Sequence, residues 1–533
     1  MASKIFMGDM PELMEKIFKN LNNEIYSLHS CALVSRHWCK MSIPQLWRNP
    51  FLFSKSPKFI SKYISSLEDN DKFNLKEYGI VDDFPNTLFN YARFLKVLNI
   101  SHLNACVEQW MGSAKFNQQD KDKLKCHIVN LLLKIFIESG AILYRLDLEI
   151  YEKDGNNFSK MNSEVIYLIE QDMTFFSQLR VLSVDIVQDF FGFNLDSDSD
   201  SEYVYSFKAI TLLKTLAKCA MEITEFRVNL CDFDYTPQIC NNLAYIINLL
   251  ESIIQSQKHL QLFNISCTDL LDPSGGFYGI ILALNSQKTT LKEIIMNNCD
   301  YSTEFEILKN CENLDVIRIT QCDEEIVKIL NNKINILEIN SNDSIDASNI
   351  IQTLESSGSL LQRLKLDMRQ NIKSQSSLIE TLMTFCPNIT YLYISRIKLS
   401  NQLLEFIKSL RNLQFLTICW DEPTIRTRAI KNELESNIIK FAGSLPSTLQ
   451  YLDLNKLQFG LFIDILLDHC DAPLKSLSFH IGHNIEKKIE ALIRFYTRKM
   501  TLNVVNVNVF GKNKEYLEEY VKLVSYNSFV VDC

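Results

Sequence analysis

A short pattern of apolar positions, apolar-x-x-apolar-x-apolar, recurs along the chain past residue 90. The last two apolar residues of each occurrence are two positions apart, which places both on one side of a β-strand. The spacing between occurrences averages about 31 residues, a period typical of repeat proteins. The fourteen occurrences begin at Leu95, Leu143, Leu179, Ile223, Leu260, Leu291, Leu314, Ile334, Leu361, Ile389, Leu413, Leu449, Leu474 and Leu502.

Helical stretches lie between these predicted strands, where apolar residues recur with helical spacing. Strand followed by helix at a repeated interval predicts an α/β solenoid, because one unit cannot bury its apolar side and stacked units build a continuous core. The clearest predicted helices are Asn241–Gln255, Glu324–Leu330, Ser376–Phe385 and Ile485–Tyr496.

This strand–helix period resembles the leucine-rich repeat, a resemblance that implies parallel strands on the concave face and helices on the convex face. The ninth position of such a repeat is usually Asn or Cys, whose side chain satisfies backbone groups at the turn. Later repeats depart from this, with Arg369 and Ile397, and the intervals run from 20 to 48 residues, so the repeat number stays open. The ninth position matches at Cys231, Cys299, Cys322 and Asn342.

The first fifty residues predict three short helices. The first spans Met10–Leu21, where Pro11 suits the first turn and an apolar face carries Leu13, Ile17, Phe18 and Leu21. Two serines are predicted N-caps, Ser27 for the second helix and Ser35 for the third.

This segment resembles the F-box over residues 8–48, because it opens with Met10-Pro11-Glu12 and ends with Leu33-Val34-Ser35-Arg36-His37-Trp38. The resemblance implies docking on a Skp-family adaptor and, through it, on a cullin–RING ubiquitin ligase. A small helical cap in which Leu13 and Trp38 only pack inward is the other interpretation. By position, the adaptor contacts would be Pro11, Leu13, Ile17, Leu33, Val34 and Trp38.

The domain organisation that follows is an F-box at 8–48, a helical linker or cap at 49–90, and the solenoid at 91–533. The run 196–202, in which acidic residues alternate with serines, predicts a loop because it cannot bury itself. It is either a solvated insertion or an acceptor of phosphate on its serines.

Charge and composition exclude several classes of function. The net charge of −9 disfavours nonspecific binding to nucleic acid or an anionic membrane, both of which need a basic face. The fifteen cysteines are too sparse for a disulfide scaffold, and no signal peptide or membrane span is recognisable, so we expect a cytoplasmic or nuclear protein.

No motif for bond chemistry is evident. The sequence has no Gly-rich phosphate loop, no Cys-x-x-Cys pair and no His-Glu-x-x-His helix, so no metal or other cofactor is expected. We therefore do not expect an enzyme. A hydrolase whose site is assembled across several repeats stays open, because catalytic triads are spatial arrangements.

The third position of successive repeats predicts where a substrate binds. Tyr391, Phe415 and Tyr451 form a predicted ladder on neighbouring strands, with Tyr393 and Trp420 close by on the same face. Exposed aromatic residues on a rigid surface are typical binding anchors. A covering segment, or simple packing between strands, is an equally open interpretation.

A strip of basic residues offers a second substrate hypothesis, in which a phosphorylated or acidic segment is recognised. Glu338 and Asp367 lie among these positions and would offset the positive charge. The strip consists of Arg318, Arg363, Lys365 and Arg396.

The combined expectation is a substrate-recognition subunit of a ubiquitin ligase, with an unidentified protein substrate on the solenoid. A leucine-rich-repeat scaffold that is not coupled to ubiquitination is the alternative. Failure to co-purify with a Skp-family adaptor would favour that alternative.

Overall fold

The chain divides into two compact units, Met1–Leu291 (unit 1) and Lys292–Cys533 (unit 2). The acidic run 196–202 lies outside the described residues. The computed structural model describes residues 11–21, 24–52, 57–77, 80, 87–112, 118–151, 163–187, 207–231, 237–267, 279–330, 333–420, 428–454, 462–480, 485–507 and 512–525.

The described part of unit 1 begins with three helices, after which strands and helices follow one another. Its α-helices are α1 Pro11–Asn20, α2 Ile25–Ala32, α3 Arg36–Leu46, α4 Ile60–Ile64, α5 Asp69–Glu77, α6 Ile100–Met111, α7 Gln118–Glu138, α8 Ser163–Gln171, α9 Phe207–Cys219, α10 Pro237–Ser256 and α11 Gly279–Ala283. Its 3₁₀ helices are Pro50–Leu52, Pro57–Phe59, Tyr91–Phe94, Met173–Phe176 and Leu284–Gln287. Its strands are β1 Val97–Asn99, β2 Arg145–Tyr151, β3 Val181–Val187, β4 Glu225–Cys231 and β5 Leu262–Cys267.

The described part of unit 2 continues the strand–helix order. Its strands are β6 Glu293–Asn297, β7 Val316–Thr320, β8 Ile336–Ser341, β9 Arg363–Met368, β10 Tyr391–Ile397, β11 Phe415–Trp420, β12 Tyr451–Asp453, β13 Ser476–Ser478, β14 Val504–Asn506 and β15 Lys522–Leu523. Its helices are α12 Glu324–Ile329, α13 Ser348–Ser357, α14 Gln375–Phe385, α15 Asn401–Ser409, α16 Arg428–Ser444, α17 Ile463–His469, α18 Ile485–Lys499 and α19 Lys512–Glu518, with 3₁₀ helices Thr303–Asn310 and Gly358–Leu360.

Within each unit, consecutive strands pair in parallel and the recurring apolar residues stay in register. In unit 1, for example, Leu146 lies opposite Leu98 on one side and Leu182 on the other. All fourteen occurrences of the pattern coincide with β1–β14, and their apolar residues are buried. The predicted α/β solenoid is therefore confirmed, and the four predicted helices correspond to α10, α12, α14 and α18. The pattern missed β15, which is only two residues long.

Two of the ninth-position cysteines contact the backbone at their turns, as the repeat resemblance predicted. The backbone N–H of Cys299 donates to Sγ of Cys322, 3.3 Å away, and that thiol in turn donates to the carbonyl of Thr320 at 3.4 Å. The preceding residues, Asn298 and Gln321, have φ of 52° and 54°, a left-handed conformation that ends each strand.

The N-terminal helices join the first repeat through main-chain hydrogen bonds. The carbonyl of Arg48 accepts from the backbone N–H of Lys96 and of Val97, both at 3.0 Å. The next repeat begins in the same way, since the carbonyl of Lys96 accepts from Tyr144 at 2.7 Å and from Arg145 at 3.0 Å. The segment after α3 thus takes the place of a preceding repeat.

Candidate adaptor-binding and substrate-binding surfaces

The helices α1, α2 and α3 pack around a small core of Met14, Phe18 and Leu28. Trp38 of α3 packs against this core, with its ring edge-on to Phe18 and the ring centres 5.6 Å apart. Ring pairs in this geometry add to the stabilisation that burial supplies. Trp38 therefore holds the three helices together.

Four of the six predicted adaptor contacts have exposed apolar side chains on these helices and the turn before α3. Leu33 is 76% exposed and Val34 is 62% exposed, and Leu13 and Ile17 are also exposed. Helix α1 has two apolar faces, because Met14 and Phe18 turn inward while their neighbours Leu13 and Ile17 turn outward. We call Leu13, Ile17, Leu33 and Val34 the apolar docking surface.

The other two predicted contacts differ from these four. Trp38 is half-buried and packs inward, whereas Leu13 does not, so the interpretation in which both pack inward is wrong for Leu13. Pro11 begins α1, but its side chain lies outside the described residues. Tyr26 on α2 is almost fully exposed and was missed, although its position two residues before buried Leu28 indicates the outward face of that helix.

Local hydrogen bonds fix the turn that carries Leu33 and Val34. Ser35 caps α3 as predicted, because its Oγ accepts a hydrogen bond of 3.2 Å from the backbone N–H of Trp38. The prediction that Ser27 caps α2 is wrong, since that helix already begins at Ile25 and Ser27 donates instead to the carboxylate of Glu24 at 2.9 Å.

The predicted aromatic ladder exists in unit 2. Tyr391, Phe415 and Tyr451 lie opposite one another on β10, β11 and β12. Their ring centres are 6.1 Å and 5.6 Å apart, close enough for direct packing. The guanidinium of Arg363 extends the row on β9, since it lies 3.8 Å from the centre of the Tyr391 ring. We call the surface that these four residues share with their neighbours on the same side of the sheet the strand face of unit 2. Those neighbours are Arg318, Glu338, Lys365 and Tyr393.

The expectation that all five aromatic residues stand exposed is wrong. Tyr391 is only 9% exposed and Tyr451 only 5%, Tyr393 is also buried, and Phe415 is partly exposed. Trp420 lies on the opposite face, because it is five positions after Phe415 and side chains alternate between the faces of a strand. Its ring packs edge-on against Phe441 of α16, with ring centres 5.2 Å apart. The rings of Tyr391, Phe415 and Tyr451 pack between strands, as the second interpretation expected.

Two arginines of the basic strip, Arg318 and Arg363, are paired with glutamates. Glu338 accepts from both Arg318 at 2.6 Å and Arg363 at 2.5 Å, and Arg318 also pairs with Glu293 at 2.9 Å. Burial raises the pKa of the Glu338 carboxyl, but the two arginines outweigh burial and leave that pKa below its usual value. The ammonium of Lys365, in turn, lies 5.4 Å from the ring centre of Tyr393. Arg318 and Arg363 therefore offer little net charge to a ligand, because glutamates pair with both.

Arg396 is the exposed member of the strip. It lies where the pairing of β10 with β11 shifts register, and its φ of 55° is left-handed. The side chains of Arg318, Arg363 and Lys365 lie along the strand face, whereas Arg396 is skipped in the pairing, between the paired residues Ser395 and Ile397.

Among the described residues, no cluster of His, Cys, Asp and Glu side chains could hold a metal ion. Burial raises the pKa of Cys386 to about 12 and that of Cys470 to about 11, so both thiols stay protonated at neutral pH. No helix in the described ranges is long and apolar enough to cross a membrane.

Three comparisons relate the chain to known proteins. Residues 11–53 match the model of the F-box-like family, which covers α1–α3. No curated protein matches the chain. A chain from the crystal structure of the Rad7 and Elc1 complex in yeast is similar at 17% identity, over 77% of this chain and 94% of that chain. Its TM-score is 0.38, a likeness too weak to carry an argument about function.

Proposed function

We propose that this chain is the substrate-recognition subunit of a cullin–RING ubiquitin ligase. Its F-box-like helices would bind a Skp-family adaptor, and its repeats would bind a protein substrate. The chain itself would perform no bond chemistry, because holding a substrate near the ubiquitin-transfer machinery supplies proximity. The complex would act in the cytosol or the nucleus.

The apolar docking surface is the observation that carries this proposal. Leu33 and Val34 are exposed in the turn before α3, while the bundle already has a core of its own in Met14, Phe18 and Leu28. Several exposed apolar side chains on one small folded module are typical of a protein-binding surface. The match of residues 11–53 to the F-box-like family supports an adaptor as the partner.

The substrate side of the proposal rests on the strand face of unit 2. Phe415 is the partly exposed ring of the ladder, and it lies between Tyr391 and Tyr451, which are held by packing. A rigid aromatic surface loses little conformational entropy when a partner binds. We propose that a substrate contacts Phe415 and the adjoining edges of these tyrosines, with Tyr393 beside them.

The direct test is a pull-down with a purified Skp-family adaptor, comparing the wild-type chain with a Leu33→Ala/Val34→Ala variant. Both side chains are exposed, so we expect the variant to fold normally and to bind the adaptor at least tenfold more weakly. Leu360→Ala is a matched control, because Leu360 is an exposed leucine on a 3₁₀ helix of unit 2.

Two outcomes would decide the proposal. Loss of binding in the double variant with normal binding in Leu360→Ala would support adaptor docking through this surface. Failure of the folded wild-type chain to bind would overturn it, and the alternative of a repeat scaffold uncoupled from ubiquitination would then lead. Circular dichroism of each protein checks the fold.

A further inference from the structure

Three basic residues lie close together along the main chain of unit 1, where the F-box-like helices join the first repeat. Arg48 follows α3, Arg93 lies on the 3₁₀ helix Tyr91–Phe94, and Lys96 immediately precedes β1. The hydrogen bonds from Lys96 and Val97 to the Arg48 carbonyl hold these segments together. The cluster therefore spans the module that matches the F-box-like family and the first repeat.

The geometry of the cluster leaves its charges available. The guanidinium of Arg48 lies over the ring of Tyr144, 5.4 Å from its centre. The ammonium of Lys96 donates one hydrogen bond, to the carbonyl of Ile142 at 3.0 Å, and two of its protons are left for another acceptor. Arg93 is exposed.

No described carboxylate forms an ion pair with any of the three side chains in the cluster. This differs from other cations of the described chain, such as Arg180 and Lys258, which share Glu222. Burial, together with the charges of Arg48 and Arg93, lowers the pKa of Lys96. Like charges that lie close together repel one another, and a bound anion would relieve that repulsion.

We propose that Arg48, Arg93 and Lys96 bind a small, multiply charged phosphate anion. Arginine presents planar pairs of N–H groups that match phosphate oxygens, and lysine adds a point charge. Three cations exceed what one carboxylate would neutralise, which favours a polyphosphate. The bound anion would connect the F-box-like module to the first repeat and stiffen the junction.

A bound anion would join two parts of the chain. Arg48 belongs to the segment matched by the F-box-like family, and Lys96 belongs to the repeats. An anion held by both adds contacts across a joint that otherwise depends on main-chain hydrogen bonds and aromatic packing, including Trp47 stacked on Tyr91 with ring centres 4.0 Å apart. The inference holds whether or not an adaptor binds.

The test uses the full-length protein and inorganic pyrophosphate, with NaCl at matched ionic strength as the reference. We expect pyrophosphate near 100 times its dissociation constant to raise the melting temperature by about 3 °C or more. In calorimetric titration, Arg93→Gln and Lys96→Met should each weaken pyrophosphate binding at least tenfold. Arg411→Gln, which removes an exposed arginine of unit 2, should bind like the wild type.

The ligand-free variants separate binding from a structural role. Because removal of one like charge relieves repulsion, Arg93→Gln without anion should melt at or above the wild-type temperature. A melting temperature several degrees lower would indicate a structural role and overturn the proposal. The proposal also fails if pyrophosphate has no more effect than NaCl, or if Arg93→Gln and Arg411→Gln bind it equally.

Discussion

The guanidinium of Arg363 lies 3.8 Å from the centre of the Tyr391 ring, at the end of the aromatic row of unit 2. The same guanidinium is ion-paired to Glu338 on β8 and is almost fully buried. One arginine therefore links the charged part of the strand face to its aromatic part. Glu338 is ion-paired to both Arg363 and Arg318 and so holds these two arginines together.

Glu338→Ala should destabilise unit 2 by about 3 kcal/mol, because it removes the carboxylate that is paired with the buried Arg363. Urea unfolding monitored by circular dichroism measures the change. Glu380→Ala, which removes an exposed glutamate of α14, should change the free energy of unfolding by less than about 0.5 kcal/mol. Equal effects of the two substitutions would contradict the role of Glu338.

The contribution of Glu338 should disappear in acid. Its folded pKa lies below the unfolded value of about 4.3, so its charge stabilises the protein above that pH. The stabilisation is lost as the pH falls through the folded pKa. The free-energy difference between wild type and Glu338→Gln should be constant above about pH 5 and shrink below about pH 4, which unfolding curves between pH 3 and pH 7 measure. A difference that stays constant down to pH 3 would refute this.

Trp38 and Leu33 should behave differently when replaced by alanine. Trp38→Ala removes a ring from the F-box-like core and should destabilise the three helices by about 2–3 kcal/mol. Leu33→Ala should leave them intact, since Leu33 is exposed. Hydrogen exchange of amides in residues 11–46 measures both. Equal loss of protection in the two variants would mean that Leu33 is structural.

Trp420 and Phe415 should differ in the same way, because they lie on opposite faces of β11. Trp420→Ala should cost about 3–4 kcal/mol of stability, since its buried ring packs on Phe441. Phe415→Ala should cost only about 1–2 kcal/mol of stability, because the ring is partly exposed, and should weaken mainly the proposed substrate binding. Thermal unfolding of both variants measures the contrast, and a larger cost for Phe415→Ala would contradict the assignment of faces.

The sequence by itself determined the repeat and the N-terminal motif. The apolar spacing located β1–β14 and the main helices, because alternation along a strand and the 3.6-residue helix period are local properties of the chain. The turn cysteines Cys299 and Cys322 and the N-cap Ser35 were also predictable, since the side chain of each bonds to backbone near its own turn.

Only the tertiary structure decided which side chains face outward. Leu13 and Phe18 both belong to the apolar side of α1 in the sequence, yet Phe18 packs on Trp38 and Leu13 does not. Likewise, the charge of Arg363 is cancelled by a glutamate 25 residues away, and Arg48 meets Lys96 across 48 positions of sequence. Packing and ion pairing depend on distances between segments, which no local period encodes.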